Sequence, residues 1–145
     1  MPEAGHDRWT LRCDGGSRGN PGPGAFGFVL CDPRGAEREA RGEYLGSVTN
    51  NVAEYRALIA GLESAAHHGV RRLEVVMDSE LVVRQMTGEY RVKNAGLKPL
   101  HAEARRKAAA IAEVTYRSVL REENERADRL VNETLDKVLG TESPR

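Results

Sequence analysis

The sequence predicts an α/β fold: a five-stranded mixed sheet, three antiparallel strands followed by parallel additions, flanked by helices. Three strand patterns come first, and the helical pattern of residues 51–66 begins only after them. Strands then alternate with helices, so the later strands can join parallel to the first through right-handed crossovers. At 145 residues we expect one domain, with a core at about residues 8–139 and loose ends at 1–7 and 140–145.

The predicted elements follow the order βββαβααβα. The alternation of Trp9, Leu11 and Cys13 with polar residues is typical of a strand. Asn50 or Asn51 is expected to cap the first helix. We predict strands at residues 9–13, 25–31, 37–45, 72–77 and 114–120, and helices at residues 51–66, 79–86, 97–112 and 124–139.

Overall charge gives no sign of a nucleic-acid partner, because Lys plus Arg and Asp plus Glu both number 22. Any nucleic-acid surface would therefore have to be local. Cys13 and Cys31 lie inside apolar runs without the spacing of a metal site, and we expect two buried thiols. The sequence has no signal-peptide pattern and no long apolar run, so we expect a cytoplasmic protein that does not bind membranes. We also predict a monomer without an obligate protein partner.

A glycine-rich run at residues 14–24 follows the first strand and begins with Asp14. An Asp-Gly turn favours a simple hairpin, whereas the length of the run favours a shaped surface that approaches a ligand closely. Residues 22–27 match the dinucleotide motif G-x-G-x-x-G, but that motif must open a helix and here it opens a strand pattern. A nucleotide-binding domain is therefore only a third hypothesis for the function.

Four acidic residues are predicted to point inward. Asp14 and Asp78 end two strands whose carboxyl ends should be neighbours in the sheet. Glu54 and Asp128 each begin an apolar stripe on a helix. Each has a structural alternative: Glu54 in a capping box with Asn51, Asp78 as a helix cap, and Asp128 as a first-turn acid favoured by the helix dipole.

Four inward acids together indicate a cation, because clustered carboxylates repel one another and are costly to bury. Oxygen-only ligands suit a hard ion, Mg²⁺ or Mn²⁺. Two such ions can activate water and stabilise a leaving oxygen in phosphodiester hydrolysis.

The sequence resembles type 1 ribonuclease H over about residues 11–136. Four motifs carry the resemblance in the family's order: residues 14–24 (DGGSRGNPGPG), 49–54 (TNNVAE), 78–79 (DS) and 124–128 (NERAD). The resemblance implies a ribonuclease H-like fold. It also implies an endonuclease that cuts the RNA strand of RNA–DNA hybrids and leaves 5′-phosphate and 3′-hydroxyl ends.

The resemblance also implies the residues of the site. Two Mg²⁺ ions would be held by four catalytic carboxylates, those of Asp14, Glu54, Asp78 and Asp128. RNA recognition requires contacts to the 2′-hydroxyl group. The implied substrate-binding residues are Gly15, Gly16, Asn20, Thr49, Asn50, Asn51, Lys93 and Asn94.

The chain departs from the family pattern in two places. Many members carry a histidine in the loop before the last acid, but residues 119–124 contain none, and Arg121 or Glu123 is a candidate replacement. Some members grip the hybrid with a long basic helix, for which residues 87–99 are too short. We therefore expect modest hybrid affinity that falls steeply with salt.

A second hypothesis is a non-catalytic module that binds RNA–DNA hybrid or double-stranded nucleic acid and uses the acids for a structural metal. Such a module would not need all four acids, so their presence favours the nuclease. The absence of a helix pattern after residues 22–27 argues against the nucleotide-binding hypothesis.

Overall fold

The structure, a computed structural model, describes residues 7–140. The predictions for residues 1–6 and 141–145 lie outside the described residues. The strands are β1 (Arg8–Ser17), β2 (Gly22–Cys31), β3 (Glu37–Val48), β4 (Arg72–Met77) and β5 (Glu113–Ser118). The α-helices are α1 (Asn50–His67), α2 (Glu80–Thr87), α3 (Lys98–Ala109) and α4 (Glu125–Leu139), with a 3₁₀ turn at Arg121–Glu123 before α4.

The five strands form one mixed sheet in the order β3-β2-β1-β4-β5, which confirms the predicted fold class. β1 pairs antiparallel with β2, and β2 antiparallel with β3. β4 joins the other edge of β1 in parallel, and β5 then adds parallel to β4. β1 therefore lies at the centre of the sheet and is hydrogen-bonded on both sides.

The glycine-rich run contains less loop than the sequence predicts. β1 continues through the glycines to Ser17, which pairs with Gly24, so only residues 18–21 connect β1 to β2. The hairpin alternative is thus correct for most of the run, because cross-strand hydrogen bonds extend through it. Residues 22–27 lie within β2, which agrees with the rejection of a dinucleotide motif.

Several predicted boundaries are wrong by a few residues. β3 runs to Val48 rather than to residue 45, while α3 ends at Ala109 and β5 at Ser118. The cap of α1 is also corrected: Thr49, not an asparagine, accepts the bond from the Val52 amide. Thr and Asn are both good caps, so local sequence does not separate them.

Helices cover both faces of the sheet. α1, α2 and α3 contribute to the main apolar core, which includes Leu11 of β1, Leu58 of α1 and Val82 of α2. α4 packs against the other face, where Val131 and Leu135 contact Ala25 of β2. Within residues 7–140, the helices are too short or too polar to cross a membrane.

α1 approaches β1 most closely at Gly15. A Cβ atom at this position would lie 2.2 Å from the backbone carbonyl carbon of Ala53. At the adjacent Gly16, the nearest atoms to an added Cβ would be 3.9 Å away, on Asn50 and Val131. The contact at Gly15 sets how near α1 and its acid Glu54 come to the end of β1.

We predict that Gly15→Ala lowers the free energy of unfolding by about 1–3 kcal/mol or more, because backbone must move to admit the methyl group. Gly16→Ala is the matched control and should change stability much less. Urea denaturation of both variants checks this. Equal losses in the two variants would contradict the close contact at Gly15.

Candidate functional site: a carboxylate cleft

Asp14 and Asp78 lie side by side where the parallel pairing of β1 with β4 ends. The last parallel pair is Cys13 with Met77, and each acid is the next residue in its chain. The sequence predicted that Asp14 ends its strand. This is wrong, because β1 continues past Asp14 and pairs this residue with Gly27 of β2. The two acids are nevertheless neighbours, as the strand-end prediction required.

Glu54 reaches the same place from α1. Its carboxylate accepts a hydrogen bond from the hydroxyl of Ser79. The predicted capping box is wrong, because Thr49 rather than Asn51 caps α1. The cap of α2 is Ser79, so the alternative that made Asp78 a helix cap is also wrong.

Asp128 enters the site from the first turn of α4. Its position agrees with the dipole alternative, since an acid in a first turn is stabilised there. The Arg121 guanidinium lies 3.7 Å from its carboxylate, with 78% of the Arg121 side chain exposed. Placement in the first turn and placement in the site are compatible.

The four acids line one cleft of about 460 Å³, which we call the carboxylate cleft. Its walls come from β1, the starts of α1 and α2, and one face of α4. The lining residues are Asp14, Gly15, Gly16, Ser17, Arg18, Asn50, Asn51, Glu54, Asp78, Ser79, Glu80, Leu81, Arg121, Asp128, Val131, Asn132 and Leu135.

Burial and mutual repulsion dominate the electrostatics of the cleft. The pKa of Asp14 is raised to about 9, first by burial and then by the charges and hydrogen bonds of Asp78 and Asp128. The pKa of Glu54 is raised to about 7, chiefly by burial, while the Ser79 hydroxyl opposes the rise. Both shifts favour the protonated, uncharged form of these two acids.

The donors of the cleft fit a hard divalent cation. The acidic side chains supply only oxygen atoms, and a cation would offset the repulsion that Asp78 and Asp128 exert on Asp14. Within residues 7–140, no three His, Cys, Asp or Glu side chains already have the spacing of a metal site. An ion would therefore have to draw the four carboxylates into its own coordination geometry.

The predicted substrate-binding residues divide into three groups. Gly15, Gly16, Asn50 and Asn51 line the cleft. Two more lie beside it: Asn20 accepts a hydrogen bond from the Asn50 amide, and Thr49 caps α1. Lys93 and Asn94 lie outside the lining of the cleft, and the Asn94 side chain accepts bonds from the amides of Gly96 and Leu97.

Both candidates for the missing histidine are near the site. Arg121 lines the carboxylate cleft. Glu123 lines an adjoining cavity of about 430 Å³ that also includes Asp78 and Arg121. Arg121 is the better placed of the two, because it alone faces both spaces.

Two hydrogen bonds hold the segment before α4 against β1. Asn124 is fully buried, and its Nδ2 donates to the Cys13 carbonyl at 2.8 Å. Arg12 donates to the Glu123 carbonyl at 3.0 Å. The Oδ1 atom of Asn124 has no partner among the described residues. The sequence predicted that the last helix begins at about residue 124, and no local signal indicated the contact of Asn124 with β1.

A family model described as reverse transcriptase-like matches residues 12–134. A bifunctional protein of Mycobacterium tuberculosis is 41% identical over 150 residues, covering 93% of this chain and 41% of the relative. A ribonuclease HI of Halobacterium salinarum is 44% identical over 123 residues, covering 85% of this chain and 62% of the relative. The chain thus spans less than two thirds of the length of either relative.

Two solved structures resemble the whole described fold. The N-terminal RNase H domain of a Mycobacterium tuberculosis protein, solved as a maltose-binding-protein fusion, is 40% identical with a TM-score of 0.89, covering 93% of this chain and 98% of that chain. LC11-RNase H1, isolated from compost and solved in complex with an RNA/DNA hybrid, is 43% identical with a TM-score of 0.85, covering 90% and 99%. The class is therefore that of domains with the ribonuclease H fold. Within that class, the chain belongs to the type 1 ribonuclease H family.

We predict that the metal-free protein loses stability as the pH rises from about 4 to about 9. The folded-state pKa values of Asp14 and Glu54 lie above the values of about 3.9 and 4.3 in unfolded chains. Their contribution to stability is therefore complete below pH about 4 and is lost as pH rises through the folded-state pKa values.

Asp14→Asn should remove much of this loss and raise the free energy of unfolding at pH 8 by more than about 1 kcal/mol. Asp7→Asn, at an exposed carboxylate, is the isosteric control. Urea denaturation in EDTA across this pH range checks both variants. A wild-type stability that does not decline between pH 5 and 9 would refute the burial of charge at Asp14.

Asn124→Ala should lower the free energy of unfolding by about 1–3 kcal/mol, because it leaves the buried Cys13 carbonyl without its donor. Asn132→Ala is the matched control, since Asn132 is exposed and its side-chain nitrogen donates to the Asp128 carbonyl within α4. The control should change stability by less than about 0.5 kcal/mol. Similar losses in both variants would show that the hydrogen bond from Asn124 to the Cys13 carbonyl contributes little to stability.

Proposed function

We propose that this chain is an endonuclease that hydrolyses the RNA strand of RNA–DNA hybrids with the help of Mg²⁺, leaving 5′-phosphate and 3′-hydroxyl ends. One observation carries the proposal: four carboxylates from β1, α1, α4 and the end of β4 line a single cleft. Family membership and the hybrid-bound neighbour, LC11-RNase H1, support the choice of substrate.

In this proposal Asp14, Glu54, Asp78 and Asp128 hold two Mg²⁺ ions, and Mn²⁺ could replace them. When bound, such ions lower the pKa of a water nucleophile and neutralise the charge that develops on the leaving oxygen. Asp14 has the central role among the ligands, because it contacts both Asp78 and Asp128.

Other residues of the chain orient these ligands. The Ser79 hydroxyl fixes the Glu54 carboxylate, and Asn124 holds the start of α4 against the end of β1. Arg121 places a positive charge beside Asp128 at the mouth of the cleft. In that position Arg121 can contact a phosphate of the substrate, which is the auxiliary role we propose for it; Glu123 is the weaker candidate.

Recognition of the RNA strand is assigned to the cleft wall formed by Gly15, Gly16 and the start of α1. Backbone at the two glycines can approach a 2′-hydroxyl group closely. Asn50 Oδ1 already accepts a hydrogen bond from the Ser17 amide at 2.8 Å. Asn50 would therefore contact the substrate through its side-chain nitrogen, Nδ2. The amide groups at the start of α1, beside Asn51, would attract a phosphate.

The remaining assignments stay predictions. They are the substrate contacts of Asn20, Thr49, Lys93 and Asn94, the monomeric state and the cytoplasmic location. The non-catalytic binding module is the outcome to be excluded, and the experiment below separates it from the nuclease.

Wild-type protein with Mg²⁺ should cut RNA–DNA hybrid but not duplex DNA or duplex RNA. Asp14→Asn should lower the cleavage rate at least about 100-fold, because it removes the central ligand. Asp7→Asn, with the same loss of charge far from the cleft, should cut at the wild-type rate. Gel analysis of end-labelled substrate measures all three proteins.

The same assay distinguishes the two functions. Hybrid binding without cleavage, in Mg²⁺ and in Mn²⁺, would leave the non-catalytic module as the function. Cleavage that survives in Asp14→Asn would remove the carboxylate cleft as the site of the reaction.

A further inference from the structure

The start of α2 is hydrogen-bonded to the carboxylate cleft. α2 has eight residues, Glu80–Thr87, and an isolated helix of that length is not stable in water, so contacts with the rest of the fold must set its position. The hydroxyl of its cap residue, Ser79, donates to the Glu54 carboxylate and also accepts from the Val82 amide. The orientation of the Glu54 carboxylate therefore depends on where α2 begins.

The C-terminal half of α2 is bonded to the residue that follows Glu54 in the chain. The Tyr55 hydroxyl donates to Gln85 Oε1 at 2.6 Å. From α3, His101 Nε2 donates to the Gln85 carbonyl at 3.1 Å, and the His101 ring lies nearly perpendicular to the Tyr55 ring with 6.3 Å between their centres. Tyr55, Gln85 and His101 belong to three different helices, and we call them the helix-linking network.

Burial makes the bond between Tyr55 and Gln85 difficult to break. Tyr55 is 0% exposed and Gln85 is 6% exposed, so water does not reach either partner freely. A buried hydroxyl and a buried amide oxygen are both costly to leave unpaired. The bond therefore keeps the C-terminal half of α2 in one position relative to α1.

Two successive residues of α1 thus hold α2 at two separate points. Their partners, Ser79 and Gln85, are six residues apart, which corresponds to about 9 Å at about 1.5 Å per residue. A short helix held at two points cannot slide or rotate against α1 unless one of the two bonds breaks. The three residues of the helix-linking network are absent from the described lining of the carboxylate cleft, so their effect on Glu54 has to pass through Ser79.

We propose that Tyr55 and Gln85 are positioning residues for metal binding: they fix α2 so that Ser79 holds the Glu54 carboxylate ready for a divalent cation. The proposal rests on the proposed function, because it takes the carboxylate cleft as the Mg²⁺ site. Groups that orient a metal ligand without touching the metal commonly set its affinity, and their loss costs about 10–100-fold. Tyr55 acts one step further away, through Ser79, so its effect should be smaller.

The test variant is Tyr55→Phe, which removes the hydroxyl group and keeps the ring. The matched control is Ser64→Ala, because Ser64 is also buried on α1 and its hydroxyl donates to Glu39, ten residues beyond Glu54 along the helix. Each variant loses one buried hydroxyl group from the same helix. A double variant, Tyr55→Phe with Gln85→Met, makes both partners apolar and should recover much of the stability that Tyr55→Phe loses.

The first arm of the test needs neither metal nor substrate. Amide hydrogen exchange is followed by NMR in EDTA, and exchange at Val82 and Val83 of α2 is compared with exchange in β1 of the same protein. Tyr55→Phe should raise the ratio of α2 to β1 exchange at least about fivefold, because α2 is then held only at its start. Ser64→Ala should leave this ratio unchanged. The same ratio in all the proteins would show that the bond does not fix α2, and the proposal would be wrong.

The second arm measures Mg²⁺ binding without substrate, from the amide shifts of Gly15 and Ser79 during a Mg²⁺ titration. Tyr55→Phe should bind Mg²⁺ about three- to tenfold more weakly than the wild type, whereas Ser64→Ala should match the wild type. In cleavage assays Tyr55→Phe should need correspondingly more Mg²⁺ for half-maximal rate, with an unchanged KM for hybrid at saturating Mg²⁺. The double variant should remain weak in Mg²⁺ binding even though its stability in urea recovers.

The double variant separates positioning from stability. If its Mg²⁺ affinity recovers together with its stability, or if Tyr55→Phe and Ser64→Ala bind Mg²⁺ equally well, the helix-linking network acts on stability alone and the proposal is wrong. A wild type that binds no Mg²⁺ also overturns it. If the wild type and the variants bind Mg²⁺ as expected but none of them cuts hybrid, the nuclease function fails and the positioning role stands.

Discussion

The arrangement of this protein depends on holding several carboxyl groups together at low exposure. Asp14 is only 6% exposed and contacts two other carboxyl groups, so burial and repulsion both oppose its ionisation. Such a cluster forms only if the surrounding backbone gives its members no alternative position. β1, β4, α1 and α4 each fix one acid, and none of the four acids lies on a long loop.

Close packing supplies that rigidity. Gly15 lets α1 rest against the end of β1, and Gly27 gives α4 the same access to β2, where an added Cβ would come within 2.8 Å of the Ala127 carbonyl oxygen. Asn124 and Arg12 then join the segment before α4 to β1. Glu54 of α1 and Asp128 of α4 lie on helices that cover opposite faces of the sheet. Both acids thus reach the point where the parallel pairing of β1 with β4 ends.

The sequence was sufficient for the element order and for the four acids, because both depend on local patterns. Strand alternation and helical stripes indicate which face a residue occupies. Asp14 and Asp78 each follow an apolar strand pattern, and parallel pairing of those two strands places the two acids next to each other. Four ordered motifs then gave the family. The helix caps were less predictable, since Thr49, Asn50 and Asn51 are adjacent and each is a suitable cap residue.

The sequence could not predict features that depend on contacts between residues far apart in the chain. The extension of β1 to Ser17 is decided by hydrogen bonds to β2. The contact of Asn124 with Cys13 joins residues 111 positions apart, and the cavity between α2 and α3 is lined by residues of both helices and of the segment between them. No periodicity marks such residues, because each lies in a locally unremarkable stretch.

The central position of β1 has a consequence for motion. A strand paired on both sides exchanges its amide hydrogens only when the sheet itself opens, whereas edge strands and loops open locally. Asp14 is part of that strand, so its backbone cannot move away from the neighbouring acids by local opening. The repulsion between the carboxylates of the cleft therefore acts on a strand that opens only together with the sheet. Cations that bind the folded cleft should therefore slow amide exchange along the whole of β1, including amides far from any carboxylate.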